Sequence, residues 1–124
     1  MDFLGELRRT HTCGQIRAAD EGARVLVMGW VHRRHDLGGI IFIHLRDRDG
    51  ITQVVFRAEE SSRLHEKAES LRSEYVIAAQ GLVVRRSPET VNPNLETGEV
   101  EVVADELWIL NESRTPPFPM EEEV

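Results

Sequence analysis

Hydrophobic and polar positions alternate along three neighbouring segments in the first half of the chain. These segments span residues 24–32, 40–47 and 51–57. Each is rich in β-branched and aromatic residues, which favours strands. Leu37-Gly38-Gly39 and the pair at 49–50 separate them, as turn sequences do in hairpins. The pattern therefore predicts a three-stranded antiparallel meander whose first strand is bent or bulged at Gly29.

A helical period follows the meander. Leu64, Ala68 and Leu71 recur at helical spacing with charged residues on the other faces, so an amphipathic helix is predicted within residues 59–72. A second, shorter helix is expected before the first strand, over residues 13–21, because a glycine stands at its end as a stop signal.

Two further strands complete the pattern. They are predicted over 75–86 and 99–110, with a loop containing proline and asparagine between them. Three strands, a helix and two strands match the OB-fold, an all-β five-stranded Greek-key barrel with a helix between strands three and four. We expect this domain to fill residues 1–112 and the Pro- and Glu-rich segment 113–124 to be a linker. Another small α+β sheet is the alternative on pattern alone.

Composition places the chain among globular domains and argues against a membrane span. Hydrophobic residues make up 40% of the 124 residues. No apolar run reaches the roughly 18 residues that cross a bilayer. The N-terminus lacks the layout of a secretion signal, and the lone Cys13 cannot form an internal disulfide. A partly buried free thiol and a cytoplasmic location are therefore expected.

The net charge of −7 is unevenly distributed. Residues 1–57 carry nine arginines and seven acidic residues, whereas residues 58–124 carry six basic and fifteen acidic residues. Arginine supplies fourteen of the fifteen cations, and its planar guanidinium suits phosphates and base edges. The first half is thus compatible with nucleic acid, and the acidic second half with a basic protein partner.

The turn at 49–50 predicts how the second and third strands pair. If these two residues form the turn, Arg46 pairs with Gln53 and Phe42 pairs with Arg57. Side chains alternate between the two faces of a strand. The apolar face, expected to be the core, carries Ile41, Ile43, Leu45, Val54 and Phe56. The outward face carries Phe42, His44, Arg46, Gln53, Val55 and Arg57.

The outward face combines the groups that single-stranded nucleic acid needs. Phe42 offers a ring for base stacking, Gln53 an amide for a base edge, and Arg46 a partner for phosphate. Each side chain also has a structural explanation, since exposed aromatic residues are common and surface ion pairs are weak. Their predicted position on one face favours a binding surface.

A basic run, His32-Arg33-Arg34-His35, follows the first predicted strand. It is either a solvated surface or a group of cations that holds RNA phosphates beside the predicted binding face. A third ligand at metal spacing is missing from the run, so a metal site is not expected. The sequence also lacks a Gly-rich phosphate loop and a nucleophile with a placed base, so no catalytic residue is predicted.

Several short motifs stand in a recognisable order along the chain. They are RTHTCG at 9–14, GWVHRR at 29–34, IFI and LRD within 41–47, ITQVVF at 51–56, TGEVEV at 97–102 and TPPFP at 115–119. Their order and spacing resemble the N-terminal anticodon-binding domain of bacterial-type aspartyl-tRNA synthetases. The last motif resembles the segment that leads to the catalytic domain.

The resemblance implies roles for several residues. Phe42 would stack on the middle anticodon base, and Gln53 would read the edge of that base. Arg33 would contact the anticodon, and Glu101, outward if its neighbours point to the core, would meet the wobble base. The remaining residues of the predicted nucleic-acid-binding set are Arg34, His35, His44, Arg46 and Arg57.

Two positions affect how far the resemblance carries. His35 stands where the family usually has a third arginine that contacts the anticodon. A histidine binds RNA as a cation only when it is protonated, which weakens the role carried over to His35. Leu37 stands where some relatives that charge both tRNA(Asp) and tRNA(Asn) have histidine, which favours aspartate alone.

The resemblance also implies what a complete protein would add. Motifs that bind ATP and aspartate belong to a catalytic domain further along such a chain, so aspartylation, ATP, Mg²⁺ and homodimer formation are expected only of the complete enzyme. The domain itself is expected to bind the anticodon stem-loop of tRNA(Asp) without a cofactor. The alternative is a free-standing OB-fold module that binds other single-stranded nucleic acid or a protein partner.

Overall fold

Five strands and one short α-helix make up the computed structural model, which describes residues 2–113. The strands are β1 (Arg24–Asp36), β2 (Ile40–Arg46), β3 (Ile51–Arg57), β4 (Val76–Arg85) and β5 (Val100–Asn111). The helix α1 spans Ser62–Ala68, and 3-10 turns lie at Ala18–Asp20 and Pro88–Thr90. The strands and α1 thus follow one another in the predicted order.

The five strands close into a barrel in the order β1-β2-β3-β5-β4, with β4 pairing back to β1. Neighbouring strands are antiparallel except for β3 and β5, which are parallel. The prediction of an all-β five-stranded barrel with a helix between β3 and β4 is therefore confirmed. Although β5 is the last strand of the barrel in sequence, it lies between β3 and β4.

Hydrophobic side chains fill the barrel interior. All five residues predicted for the core face of β2 and β3 are fully buried, namely Ile41, Ile43, Leu45, Val54 and Phe56. Ser61 caps α1, because its Oγ accepts a hydrogen bond from the Leu64 backbone N–H at 3.1 Å. Leu64 and Ala68 of α1 and the following Leu71 join the same core, as their helical spacing predicts.

The predicted pairing of β2 with β3 is wrong by two residues. Arg46 pairs with Ile51 and His44 pairs with Gln53, because residues 47–50 form a four-residue loop. The prediction placed only two residues in the turn. A slip of two residues returns every side chain to the face on which it was expected, so the two predicted faces are kept.

The carboxylate of Asp47 holds this longer loop. Its Oδ1 accepts hydrogen bonds from the backbone N–H groups of Asp49 and Gly50 at 2.9 and 3.2 Å. Its Oδ2 accepts a hydrogen bond from the backbone of Cys13 at 2.8 Å. An aspartate that bonds the backbone two residues ahead is a common way to start a turn.

The helix expected at 13–21 is reduced to the 3-10 turn at Ala18–Asp20. Residues 13–15 form a turn that packs on the loop between β2 and β3. A Cβ atom on Gly14 would clash with the backbone of Asp49, so the two segments lie in direct backbone contact. This tertiary contact replaces the first turn of the predicted helix.

Strand β1 is longer than predicted and bends at another place. It extends to Asp36, so the basic run lies within the strand. Its irregularity is a bulge between Val31 and Arg33, and not a bend or bulge at Gly29. Gly29 serves close packing instead, since a Cβ atom there would clash with the backbone carbonyl of Arg46.

The lone cysteine is more deeply buried than predicted. Cys13 is a free thiol with no exposed surface, and its Sγ lies 3.6 Å from the carbonyl oxygen of Met28. Burial raises the pKa of the Cys13 thiol well above its ordinary value, and the neighbouring Asp47 carboxylate raises it further. The thiol is therefore protonated at neutral pH.

The predicted linker at 113–124 lies outside the described residues except for Ser113. Across residues 2–113, none of the helices has the length and apolar character that a bilayer crossing requires.

Candidate nucleic-acid interface

A cleft of about 550 Å³ opens on the outer side of β1, β2 and β3. Its lining combines an aromatic ring, an amide, imidazoles and guanidinium groups. The lining residues are His32, Arg33, Arg34, His35, Phe42, His44, Gln53, Ser73, Arg86 and Thr90. Six of the nine residues predicted for the site therefore lie together in one cleft.

Strand pairing explains why these side chains meet. In an antiparallel pair, residues that lie opposite each other point to the same face. The bulge at His32 sets the register so that Arg33 lies opposite His44 and His35 opposite Phe42. His44 in turn lies opposite Gln53 on β3. Three strands thus contribute to one surface, and Phe42 and Gln53 are diagonal neighbours on it.

The Gln53 amide makes a hydrogen bond at each end. Its Oε1 lies 3.1 Å from Nε2 of His44, and its Nε2 donates to Oε1 of Glu101 at 2.9 Å. An amide that is held at both ends has a fixed orientation. Each end still keeps capacity for one more hydrogen bond, since a primary amide has two N–H groups and two lone pairs.

Glu101 lies on the face of β5 opposite to the core, between the buried residues Val100 and Val102. It is nevertheless only 8% exposed, because cations cover it. Nη2 of Arg57 lies 3.5 Å from Oε2, and Nε of Arg86 lies 3.9 Å from Oε1. Glu101 was predicted to point outward, and it does leave the core, but it is enclosed within a charge network.

Arg86 is a cleft residue that the sequence did not single out. Its Nε donates to the carbonyl oxygen of Val100, and its Nη1 donates to that of Thr90, both at 3.1 Å. Its Nη2 is buried and has no hydrogen-bond partner among residues 2–113. The only sequence signal for Arg86 was a pair of arginines at the end of a predicted strand. The position of Arg86 beside Glu101 depends on the pairing of β4 with β5.

Burial and nearby cations govern the charge of the cleft. Burial lowers the pKa of His44 below its ordinary value, and the guanidinium groups of Arg86 and Arg33 lower it further. The hydrogen bond with Gln53 acts in the opposite direction. Burial also lowers the pKa of Arg86, whereas Glu101 raises it. His44 is therefore neutral at pH 7, while arginine keeps its charge.

The remaining predicted residues are placed differently. Arg34 lines the cleft, but its Nη2 donates to the carbonyl oxygen of Glu69 at 3.1 Å, towards the end of α1. Arg46 is exposed and lines neighbouring clefts beyond His44. Arg57 is tied to Glu101. Val55, predicted to face outward, is fully buried and lies outside the core cluster, so other groups cover that part of the outer face.

The arrangement can stack a flat ring, pair with a base edge and neutralise negative charge. Within residues 2–113, no group of three or more His, Cys, Asp or Glu side chains is arranged to hold a metal ion.

A closed five-stranded barrel that carries such a cleft on its β1–β3 side defines an OB-fold of the nucleic-acid-binding class. The chain belongs to the tRNA anticodon family, described as the OB-fold nucleic acid binding domain, whose model matches residues 25–110.

Individual proteins resemble the chain over nearly its whole length. The aspartate–tRNA(Asp/Asn) ligase of Thermoanaerobacter sp. (strain X514) is 57% identical over 119 residues, which are 96% of this chain and 20% of that ligase. The chain thus spans about one fifth of the length of the curated relatives it matches.

Solved structures share the fold. OBody AM2EP06 bound to hen egg-white lysozyme superposes with a TM-score of 0.76 at 26% identity, over 86% of this chain and 97% of that one. The aspartyl tRNA synthetase from Entamoeba histolytica superposes with a TM-score of 0.78 at 17% identity, over 96% of this chain and 25% of that one.

Proposed function

We propose that this domain recognises the anticodon of tRNA(Asp) as part of an aspartate–tRNA ligase. The observation that carries the proposal is the position of Phe42, Gln53 and Arg33 in one cleft of an anticodon-family barrel. The ligases that match nearly the whole chain are named for tRNA(Asp/Asn), which supports tRNA as the ligand and includes tRNA(Asp).

Each proposed contact follows from the chemistry of its side chain. Phe42 is partly exposed on β2 and gives the middle anticodon base a ring to stack on. Gln53, its diagonal neighbour, offers a donor and an acceptor to the edge of that base. Arg33 is exposed on β1, where its guanidinium can bind a phosphate or a base edge through two hydrogen bonds.

The guanidinium groups of Arg33, Arg34 and Arg86, which line the cleft, favour an oxygen-bearing ligand there. A guanidinium donates hydrogen bonds and carries a positive charge. Base carbonyls and phosphates are acceptors of this kind. His44 is neutral at neutral pH and adds no charge to the cleft. The positive charge comes from the guanidinium groups of Arg33 and Arg86, which suits RNA.

The rest of the reaction is proposed for the part of the protein that this chain does not span. ATP, Mg²⁺ and homodimer formation belong there, while the present domain positions the tRNA. A cytoplasmic location follows from this role in translation.

The central test replaces Phe42 by Ala. The variant should bind an anticodon stem-loop about 5- to 150-fold more weakly, because stacking on one aromatic ring contributes about 1–3 kcal/mol. Fluorescence anisotropy with a stem-loop that carries the aspartate anticodon measures the affinity. A stem-loop with the asparagine anticodon, added to the same series, measures whether the domain distinguishes the two tRNAs named by its relatives.

Phe3→Ala is the matched control, because Phe3 is 87% exposed and lies outside the cleft. It should leave the affinity unchanged. If Phe42→Ala keeps both its circular dichroism spectrum and wild-type affinity, the proposed role of the cleft is wrong.

A protein partner is the second candidate. One barrel of this fold, at 26% identity, is an OBody bound to hen egg-white lysozyme, and the acidic second half of the present chain would suit a basic surface. A protein-binding module has no use for the Phe42 ring as a base-stacking surface, so its weak affinity for the stem-loops would be unchanged in Phe42→Ala. The comparison of the wild type with Phe42→Ala therefore separates the two candidates.

A further inference from the structure

The two ends of a glutamine amide have opposite hydrogen-bonding properties, so its orientation decides which base edge it can read. The nitrogen end donates and the oxygen end accepts. In this structure Gln53 has a contact at each end, with His44 at Oε1 and Glu101 at Nε2. The identity of these two neighbours fixes which end points where.

Glu101 determines which end of the Gln53 amide faces which neighbour, and so the order of the donor and the acceptor along the amide. It lies between the guanidinium groups of Arg57 and Arg86, and an ionised carboxylate only accepts hydrogen bonds. The amide nitrogen of Gln53 must therefore face Glu101, and the amide oxygen must face His44. The imidazole then has to donate from Nε2, which leaves Nδ1 without a proton when His44 is neutral.

A flipped amide would be opposed at both ends. Its oxygen would lie against the carboxylate of Glu101, and its NH₂ group would lie against the Nε2–H of His44. One contact would bring two acceptors together and the other would bring two donors together. Both would lie in a partly buried place, where unmatched polar groups are costly. The amide therefore presents its remaining donor and acceptor in one order only.

This order favours one type of base. A base stacked on Phe42 lies beside Gln53, since the two residues are diagonal neighbours across β2 and β3. Uracil presents the O4 carbonyl next to the N3–H group and matches an amide that donates on one side and accepts on the other. Cytosine presents an amino group next to an unprotonated N3, which is the reverse order at the same position. It would require the flipped amide.

We propose that Glu101 is a positioning residue that acts through Gln53 to make the domain prefer uracil over cytosine at the middle anticodon position. The inference rests on the proposed function. Aspartate codons carry adenine at their second position, so the base opposite is uracil. Glu101 thereby gains a role besides any contact of its own with the wobble base.

The test compares two stem-loops that differ only in uracil or cytosine at the middle base. Their affinities for the wild type and for Glu101→Gln are measured at one fixed salt concentration. The wild type should prefer uracil at least about tenfold, as one well-formed bidentate contact provides. Glu101→Gln should bring the ratio close to one, because a second amide can donate as well as accept and so tolerates both orientations of Gln53.

Glu106→Gln is the matched control, since Glu106 is exposed on the same strand and the substitution removes the same charge. It should keep the wild-type ratio. An unchanged ratio in Glu101→Gln would overturn the inference, and an equal loss for both RNAs would do so too, because that result assigns Glu101 to direct binding alone. Failure of the wild type to bind either RNA is a different outcome and overturns the proposed function itself.

A second measurement uses the wild-type protein and does not depend on whether the Glu101 variant folds. Nitrogen-15 NMR of the wild-type imidazoles reports which ring nitrogen carries the proton, and His44→Asn assigns the signal. The expected result is a neutral His44 protonated at Nε2. A proton at Nδ1 alone would mean that Gln53 turns its NH₂ group towards His44, and the proposed order would be wrong.

Discussion

His44 is the residue at which burial, hydrogen bonding and charge meet in the cleft. The groups that face it are Gln53 from β3, Arg33 and His32 from β1, and Arg86 at the end of β4. Apart from the Gln53 oxygen, these neighbours disfavour a charged imidazole. The cleft thus keeps one neutral histidine among cations, and this neutrality has a consequence for stability.

Acidification should destabilise the folded domain through His44. An exposed histidine in the unfolded chain takes up a proton near pH 6.5, whereas folded His44 does so only at lower pH. The free energy of unfolding should therefore fall as the pH drops below about 6.5, at no more than about 1.4 kcal/mol per pH unit for this one group. Urea denaturation of the wild type and of His44→Asn between pH 7.5 and 5.5 measures the effect. Equal slopes for the two proteins would contradict it.

The sequence predicts the position of a site residue well when the residues it contacts lie near it in the chain. Phe42 and Gln53 belong to one hairpin, and strand alternation alone placed them on a common face. Arg86 meets Glu101 through the pairing of β4 with β5, whereas Gln53 and Arg57 meet Glu101 through the parallel pairing of β3 with β5. Short-range patterns carry no information on these two pairings, so the enclosure of Glu101 and the presence of Arg86 were missed.

Among the secondary-structure elements, the β2–β3 hairpin shows why a wrong register can leave the right surface. The Asp47 carboxylate extends the turn to four residues and shifts the pairing by two positions. Strands have a side-chain period of two, so the shift moves no residue to the other face. It does exchange neighbours, and His44 takes the place opposite Gln53 that was expected for Arg46. The core face was therefore predictable, whereas the hydrogen-bond partner of Gln53 was not.

Close backbone contact between β1 and β2 should make Gly29 intolerant of a side chain. A methyl group at Gly29 would meet the backbone carbonyl of Arg46, and backbone cannot yield as a side chain does. Gly29→Ala should lower the free energy of unfolding by at least about 1–3 kcal/mol, as measured by urea denaturation. Gly39→Ala is the control, since its Cβ would meet nothing within 4 Å and the change should stay within about 1 kcal/mol. Similar midpoints for the two variants would count against this packing argument.

At the scale of the whole molecule, the distribution of charge matters more for RNA binding than the net charge does. The net charge is −7, yet the cleft gathers several of the arginines of the chain on one side of the barrel. Salt screens interactions between exposed charges beyond about 10 Å at 0.1 M, so nearby cations outweigh distant carboxylates. An acidic domain can therefore bind RNA through a basic cleft.

RNA affinity should accordingly fall with added salt despite the negative net charge. Each phosphate that is neutralised in a single strand contributes about 0.7 to the slope of log affinity against log salt concentration. Arg33→Gln should reduce that slope by about this amount. Arg63→Gln, an exposed position on α1, should leave it unchanged. Parallel salt titrations of the three proteins provide the measurement, and a flat wild-type titration would argue against phosphate contacts.

The placement of β5 between β3 and β4 also bears on how the chain matures during synthesis. The parallel partner of β3 and one antiparallel partner of β4 are the same strand, and it is made last. A nascent chain that has emerged only as far as β4 presents two unsatisfied strand edges, which are the groups that recruit other chains into aggregates. A ribosome pause before β5 has left the ribosome would therefore prolong a vulnerable state, whereas a pause after β5 has emerged would leave time for the finished barrel to close.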